Sequence, residues 1–142
     1  MTGHIDPTKE VFAQFRANDR EGPIHTLNLV RLRPRAAYPD GRDATGAEAY
    51  AAYGRDSGPV FERLGGKIVW LGQFELMLIG PQDEHWDHVF IAEYPSVSAF
   101  VEMIRDPVYR EAVKHRQAAV EDSRLIRLKP MKPGKGFGEI PA

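Results

Sequence analysis

Residues 67–94 read KIVWLGQFELMLIGPQDEHWDHVFIAEY, and this stretch decides the fold. Branched and aromatic residues crowd Lys67 to Ile79, Gly80-Pro81 stops the run, and a second run spans Trp86 to Tyr94. A connection this short joins two strands only as an antiparallel pair, because a parallel pair needs a long crossover. Upstream, Thr45 with Glu48 three residues later forms a capping box. The helix it opens carries Tyr50, Tyr53, Val60, Phe61 and Leu64 at helical spacing; Gly58-Pro59 predicts a kink or break, and Gly65-Gly66 closes it. Before that helix, Ile24 to Leu32 reads as a strand and Arg33 to Ala44 as a loop turning at Pro39-Asp40-Gly41.

Downstream, Pro95-Ser96 caps a helix bearing Phe100, Val101 and Ile104, and Asp106-Pro107 restarts a helix that runs to about Val120. Leu125 to Lys129 is the last strand. At the other end, Asp6-Pro7 predicts the start of a short helix with Val11, Phe12 and Phe15 on one face. After that helix the order is βαββαβ, an α+β, ferredoxin-like split arrangement with helices on one face of an antiparallel sheet. The expected division is an N-terminal helical extension over 1–22, a ferredoxin-like domain over 23–129 and a tail over 130–142.

The 142 residues carry 19 Lys+Arg against 20 Asp+Glu, which argues against a nucleic-acid or membrane-surface binder. With no cysteine, disulfide frameworks, zinc ribbons and thiol nucleophiles are excluded together. No apolar run approaches the roughly 18 residues of a membrane span. The N-terminus lacks the basic-then-apolar pattern of a signal peptide, so a cytoplasmic protein is expected. The patterns G-x-S-x-G, H-E-x-x-H and G-x-G-x-x-G do not occur, and the expectation is no cofactor and no metal.

Period-two reading of the Lys67–Ile79 run puts Ile68, Trp70, Phe74, Leu76 and Leu78 beneath the helices. The opposite face then carries Val69, Leu71, Met77 and Ile79 together with Lys67, Gln73 and Glu75. That face is too apolar to stay in water, so it predicts a partner. The economical partner is a second copy, two sheets closing into a barrel around a small cavity of mixed polarity.

Several runs point to a family: Leu64-Gly65-Gly66-Lys67-Ile68-Val69-Trp70-Leu71-Gly72, Trp86-Asp87, Tyr94-Pro95-Ser96 with Ala99-Phe100, and Asp106-Pro107-Val108-Tyr109. His115-Arg116, Ala118-Ala119 and Glu121-Asp122-Ser123-Arg124-Leu125 continue the pattern. Together they resemble domain-of-unknown-function family 1330 (DUF1330), within the dimeric α/β-barrel superfamily, over roughly residues 23–128. The resemblance implies a ferredoxin-like fold, a homodimer and a ligand cleft near the barrel. Fold relatives include cofactor-independent monooxygenases, isomerases, haem enzymes and pure binders, so it implies no single reaction.

Arg116 is the most informative position. A 100° step places it within the stripe of Tyr109, Ala112, Val113 and Val120, where a guanidinium needs a carboxylate, a polar cavity or an exit to water. Glu75, Glu93 and Asp122 are the candidate carboxylates for Arg116; in the functional reading Arg116 or Arg124 is an anion clamp for a substrate carboxylate. His115, on the flank of the stripe, is the candidate general acid or base, or else an ordinary helix-surface residue. Asn28 is a polar amide inside a strand, expected to share a cavity with Gln73 and Glu75 or to bond to neighbouring backbone. Tyr50 and Tyr53 present hydroxyls to a ligand or pack in the core. Arg31, Arg33, Arg35 and Arg42 form a basic cluster that steers an anion or lines a solvated loop. His85 and His88, on a turn entering a strand, diverge and do not read as a metal pair. In the tail, Phe137 and Ile140 are candidates to dock on a partner subunit.

Two functions follow. One is a homodimer binding a small anionic or aromatic metabolite, as a cofactor-independent isomerase, lyase or monooxygenase. Its catalytic residues would be His115 and Arg116, and its substrate-binding residues Asn28, Arg31, Tyr53, Glu75, Asp122 and Arg124. The other is a non-catalytic ligand-binding or accessory homodimer with Arg116 in a structural ion pair.

Overall fold

The computed structural model describes residues 3–140. Helix α1 (Lys9–Ala17) precedes β1 (Ile24–Leu32), α2 (Gly46–Arg63), β2 (Lys67–Gly72), β3 (His88–Tyr94), α3 (Val97–Arg105), α4 (Pro107–Ala119) and β4 (Val120–Leu128), with a short 3-10 turn at Phe137–Glu139. The strands form one four-stranded antiparallel sheet in the order β2-β3-β1-β4. This is the ferredoxin-like arrangement that the element order predicts.

Local chemistry sets the helix starts. Thr45 N–H donates to Glu48 Oε1 at 2.8 Å and Glu48 N–H to Thr45 Oγ1 at 3.0 Å, closing the capping box of α2. Ser96 caps α3, and Asp106 caps α4 ahead of Pro107. Helix α1 starts later than Asp6-Pro7 suggests: Thr8 is its cap, accepting from the Val11 N–H. Helix α2 runs unbroken through Pro59, so the expected break does not occur.

The register sorts the side chains. Ile24, Thr26, Asn28 and Val30 of β1 lie opposite Tyr94, Ala92, Phe90 and His88 of β3 and share the helix-covered face. Ile24, Thr26 and Val30 are fully buried there; burying each aliphatic side chain contributes about 1.5–3 kcal/mol. Tyr94, Phe100, Met103 and Tyr109 fill the main core with Val60 and Val97, and Val30, Ala49, Ala119 and Val120 form a second cluster.

The Lys67–Ile79 run departs from its sequence reading. Strand β2 ends at Gly72, paired with Val89, because β3 begins at His88 and offers the chain nothing further to pair with. A bulge between Ile68 and Trp70 also inverts the alternation: Trp70 lies opposite Ile91, on the open face, and Leu71 opposite Phe90. Residues 73–80 are irregular, with Leu76 and Leu78 exposed rather than under helices, and Ile79 exposed as well. Strand β4 follows α4 directly, five residues before Leu125.

Candidate functional site

The helix-covered face does not pack solidly against α4. Between them lies a cavity of about 960 Å³, bounded by β1, β4, α3, α4 and the N-terminal segment from His4 to Phe15. Its apolar lining includes Phe12, Phe15, Phe100 and Met103. Polar groups from β1, α2, α4, β4 and the N-terminal segment interrupt this apolar surface. Asn28 donates its amide to the Thr26 carbonyl at 3.1 Å and approaches Thr26 Oγ1 at 3.3 Å. The Tyr53 and Tyr109 hydroxyls are 2.9 Å apart. Burial pushes the Tyr109 phenol well above its ordinary value, and the neighbouring Tyr94 phenol is raised for the same reason, so both stay protonated at neutral pH.

Arg116 enters this cavity from α4, at the position the apolar stripe indicates. Its partners differ from those the stripe suggests. Nη1 donates to the Ile5 carbonyl at 2.5 Å and Nη2 to Ser123 Oγ at 3.3 Å. None of Glu75, Glu93 and Asp122 pairs with it. Glu93 instead bonds His25 at 2.9 Å and lies 3.5 Å from Lys67, and the His25 bond holds its carboxyl below the usual range. Lys9, Arg110, Lys114 and Arg127 also line the cavity with Arg116, against the acids Asp6 and Glu111. Glu111 is tied to Lys114 at 2.8 Å and Asp6 accepts from Gln117 at 3.3 Å, which leaves the cavity electropositive.

The N-terminal segment is fastened across the cavity mouth. His4 N–H donates to Asp122 Oδ1 at 2.8 Å, and Ser123 Oγ donates to the His4 carbonyl at 2.7 Å. Asp122 also accepts from Arg124 at 2.8 Å. Burial alone would raise the Asp122 carboxyl; the His4 N–H, Arg124 and the Ser123 N–H outweigh it and hold it below the usual range. A Cβ on Gly3 would collide with the Glu121 carbonyl, so only glycine allows this approach.

The candidate residues therefore divide into groups. Asn28, Tyr53 and Arg116 meet in the cavity. Arg31, Asp122 and Arg124 form a charged cluster beside it: Arg31 Nη2 is 3.8 Å from Asp122, its Nε 3.0 Å from Glu121, and Arg124 lies 5.5 Å over the Trp86 ring. Glu75 and Gln73 stand exposed on the irregular segment after β2, away from Asn28. Tyr50 stacks on His88 at 4.9 Å. Among the described residues, no three His, Asp or Glu side chains converge on one point. His115, adjacent to Arg116 in sequence, faces a different groove, against Tyr38 and Asp56. Sequence reasoning passed over Ser123, Thr26 and Tyr109 as site residues; Ser123 stands within the polar run Glu121 to Arg124, which gives it no signal of its own.

The opposite face of the sheet is open. Leu27, Leu29, Val89 and Ile91 are half-buried there, and Trp70, Ile126 and Leu128 are exposed. Phe137 and Ile140 of the tail are also exposed. Among the described residues no helix is long and apolar enough to cross a membrane.

Two crystal structures of the RPA0582 protein resemble this chain throughout. One, of the methylated protein, is 94% identical, covers 95% of this chain and 100% of its own, and has a TM-score of 0.94. The other, described as a protein of unknown function from Rhodopseudomonas palustris, is 93% identical over 93% and 100% with a TM-score of 0.91. SnoaB, a cofactor-independent oxygenase from Streptomyces nogalater, shares the fold at 15% identity and a TM-score of 0.50, covering 79% of this chain and 96% of its own. No curated protein matches. Residues 42–128 match the family described as "Domain of unknown function (DUF1330)", and the chain belongs to that family.

Proposed function

We propose that this protein is a homodimer that binds a small aromatic anion, one in each cavity between sheet and α4. The observation that carries this reading is Arg116: a guanidinium turned into a largely apolar cavity, with only a carbonyl and a hydroxyl as partners among the described residues. A carboxylate offers it the bidentate partner it lacks, and the surrounding phenyl and phenol rings suit a planar ring. The Tyr53 and Tyr109 hydroxyls and the Asn28 amide would orient the ligand's polar substituents. The homodimer is supported by the apolar open face, which a second sheet would cover. The domain limits 1–22, 23–129 and 130–142 belong to the same proposal, with the first segment supplying the cavity's outer wall.

SnoaB, on the same fold, is an oxygenase that works without a cofactor, and a cavity that stabilises an aromatic anion would suit such a reaction. Binding is nonetheless the stronger reading, because His115 lies outside this cavity and cannot serve as its acid or base. Isothermal titration with benzoate and with benzyl alcohol tests the proposal. Benzoate is expected to bind at least tenfold more tightly. Equal affinities, or no heat from benzoate, would overturn it.

A further inference from the structure

On the far side of α4, a groove of about 1080 Å³ separates that helix from the C-terminal half of α2 and from the loop around residues 37–42. Its centre is a chain of three side chains from three elements. The Tyr38 hydroxyl lies 2.6 Å from His115 Nδ1, and Nε2 of the same ring lies 3.4 Å from Asp56 Oδ2. The Asp56 carboxylate, 3.4 Å from Nε2, electrostatically favours the ring proton on that nitrogen, which leaves the Nδ1 lone pair to accept from the phenol. Tyr38 is thus the donor, in a bond at the short end of the usual range.

A second feature acts on the same phenol. The Arg42 guanidinium sits 4.2 Å over the Tyr38 ring centroid, on the face where a cation stabilises added negative charge. Its placement is fixed by Asp40, which accepts from Arg42 Nε at 3.0 Å and from Nη2 at 2.7 Å. The loop that carries Tyr38 is in turn held to α4 by Ala37 N–H donating to the Ala118 carbonyl at 2.8 Å, and it turns through Gly41 at φ +74°. His115 and Asp56 keep side-chain exposures of 23% and 45%, so a ligand in the groove can reach this chain. Tyr38 also packs against the Val30–Val120 cluster, which fixes its ring, while Tyr38, His115 and Asp56 all line the groove.

We propose that this groove is an acid–base site, separate from the Arg116 cavity, in which Tyr38 transfers the proton, His115 receives it and Asp56 positions the imidazole. Its ligand is a small molecule with an acidic O–H or C–H. The Tyr38 proton passes to Nδ1 as the Tyr38 oxygen takes the ligand's proton. The electron pair of the broken bond stays on the ligand as a phenolate or enolate, and the imidazole ends as imidazolium. Arg55, whose nearest carboxylate is Asp56 at 3.8 Å, stands at the rim to meet the anion formed.

Two probes test this. Benzenesulfonyl fluoride reacts at an activated phenol: the oxygen–sulfur bond forms, fluoride leaves and the phenol proton goes to His115. Peptide mass spectrometry is expected to find Tyr38 modified first, with a rate about a hundredfold lower in His115→Asn, at the low end of what a general base supplies. The second probe, 4-nitrophenol, is added below its own pKa. Wild type is expected to generate the nitrophenolate absorbance on binding, and Tyr38→Phe to lose it. Circular dichroism checks that each variant is folded; if His115→Asn is not, Asp56→Asn, which leaves the Tyr38–His115 bond in place, takes over with a smaller drop in rate. Labelling of Tyr38 at the same rate in wild type and the folded variant, or nitrophenolate formed equally in Tyr38→Phe, overturns the proposal.

Discussion

Replacing Arg116 by leucine separates the two roles this residue could play. Leucine keeps the apolar part of the side chain against α4 and removes the head that donates to the Ile5 carbonyl at 2.5 Å and to Ser123 Oγ at 3.3 Å. A hydrogen bond from a charged donor is worth about 1.5–3 kcal/mol and a long neutral-acceptor contact less. Arg116 is only half-buried, and water can reach the vacated Ile5 carbonyl, so the expected loss is near the low end, about 1–2 kcal/mol. For a chain of this size that lowers Tm by about 3–8 °C. Benzoate affinity should suffer more. Losing the bidentate partner costs about 2–3 kcal/mol, which is about 30- to 150-fold in Kd. Arg116→Lys, which keeps the charge but not the fork, should fall between. The assays are differential scanning calorimetry without ligand and titration calorimetry with benzoate. A Tm drop well beyond 10 °C with benzoate affinity within twofold of wild type would refute the reasoning, since Arg116 would then serve only the fold.

Other perturbations probe other parts of the argument. Ile126, exposed on the open face, should be part of the dimer contact; wild type is expected to sediment as two copies and Ile126→Glu as one, of 16.0 kDa, whereas a monomeric wild type would end the dimer reading. A Cβ at Gly46 would run into the Arg33 carbonyl, and backbone cannot swing aside, so Gly46→Ala should cost about 1–3 kcal/mol by urea denaturation; an unchanged midpoint would contradict this packing. The Asp122 carboxyl is held below its ordinary value of 3.8, so its stabilisation is complete above that pH and is lost as pH falls through the lower folded value. Asp122→Asn should therefore speed proteolysis within residues 3–8 at neutral pH, and acidification should do the same to wild type only below about pH 4.

How much was legible depended on how far apart the interacting residues lie. Thr45 and Glu48, Ser96, and Asp106 with Pro107 cap their helices through contacts within four residues, and all three were readable. Arg116 was readable as an anomaly from helical period alone. Its partner was not, because Ile5 is 111 residues away and presents a carbonyl, which every residue possesses. The pairing of His115 with Tyr38 spans 77 residues across a loop whose path no local pattern records.

By itself, the sequence determined the element order, the starts of α2, α3 and α4, the antiparallel sheet and the apolar stripe interrupted by Arg116. Periodicity and capping are short-range physics, written in neighbouring residues. Tertiary structure alone decided where β2 ends, that Trp70 turns to the open face, that Glu75 stays away from Asn28, and that the neighbours His115 and Arg116 serve different hollows. Each of these depends on which backbone lies alongside: β3 starting at His88 leaves residues 73–80 without a ladder, and successive residues on α4 point about 100° apart.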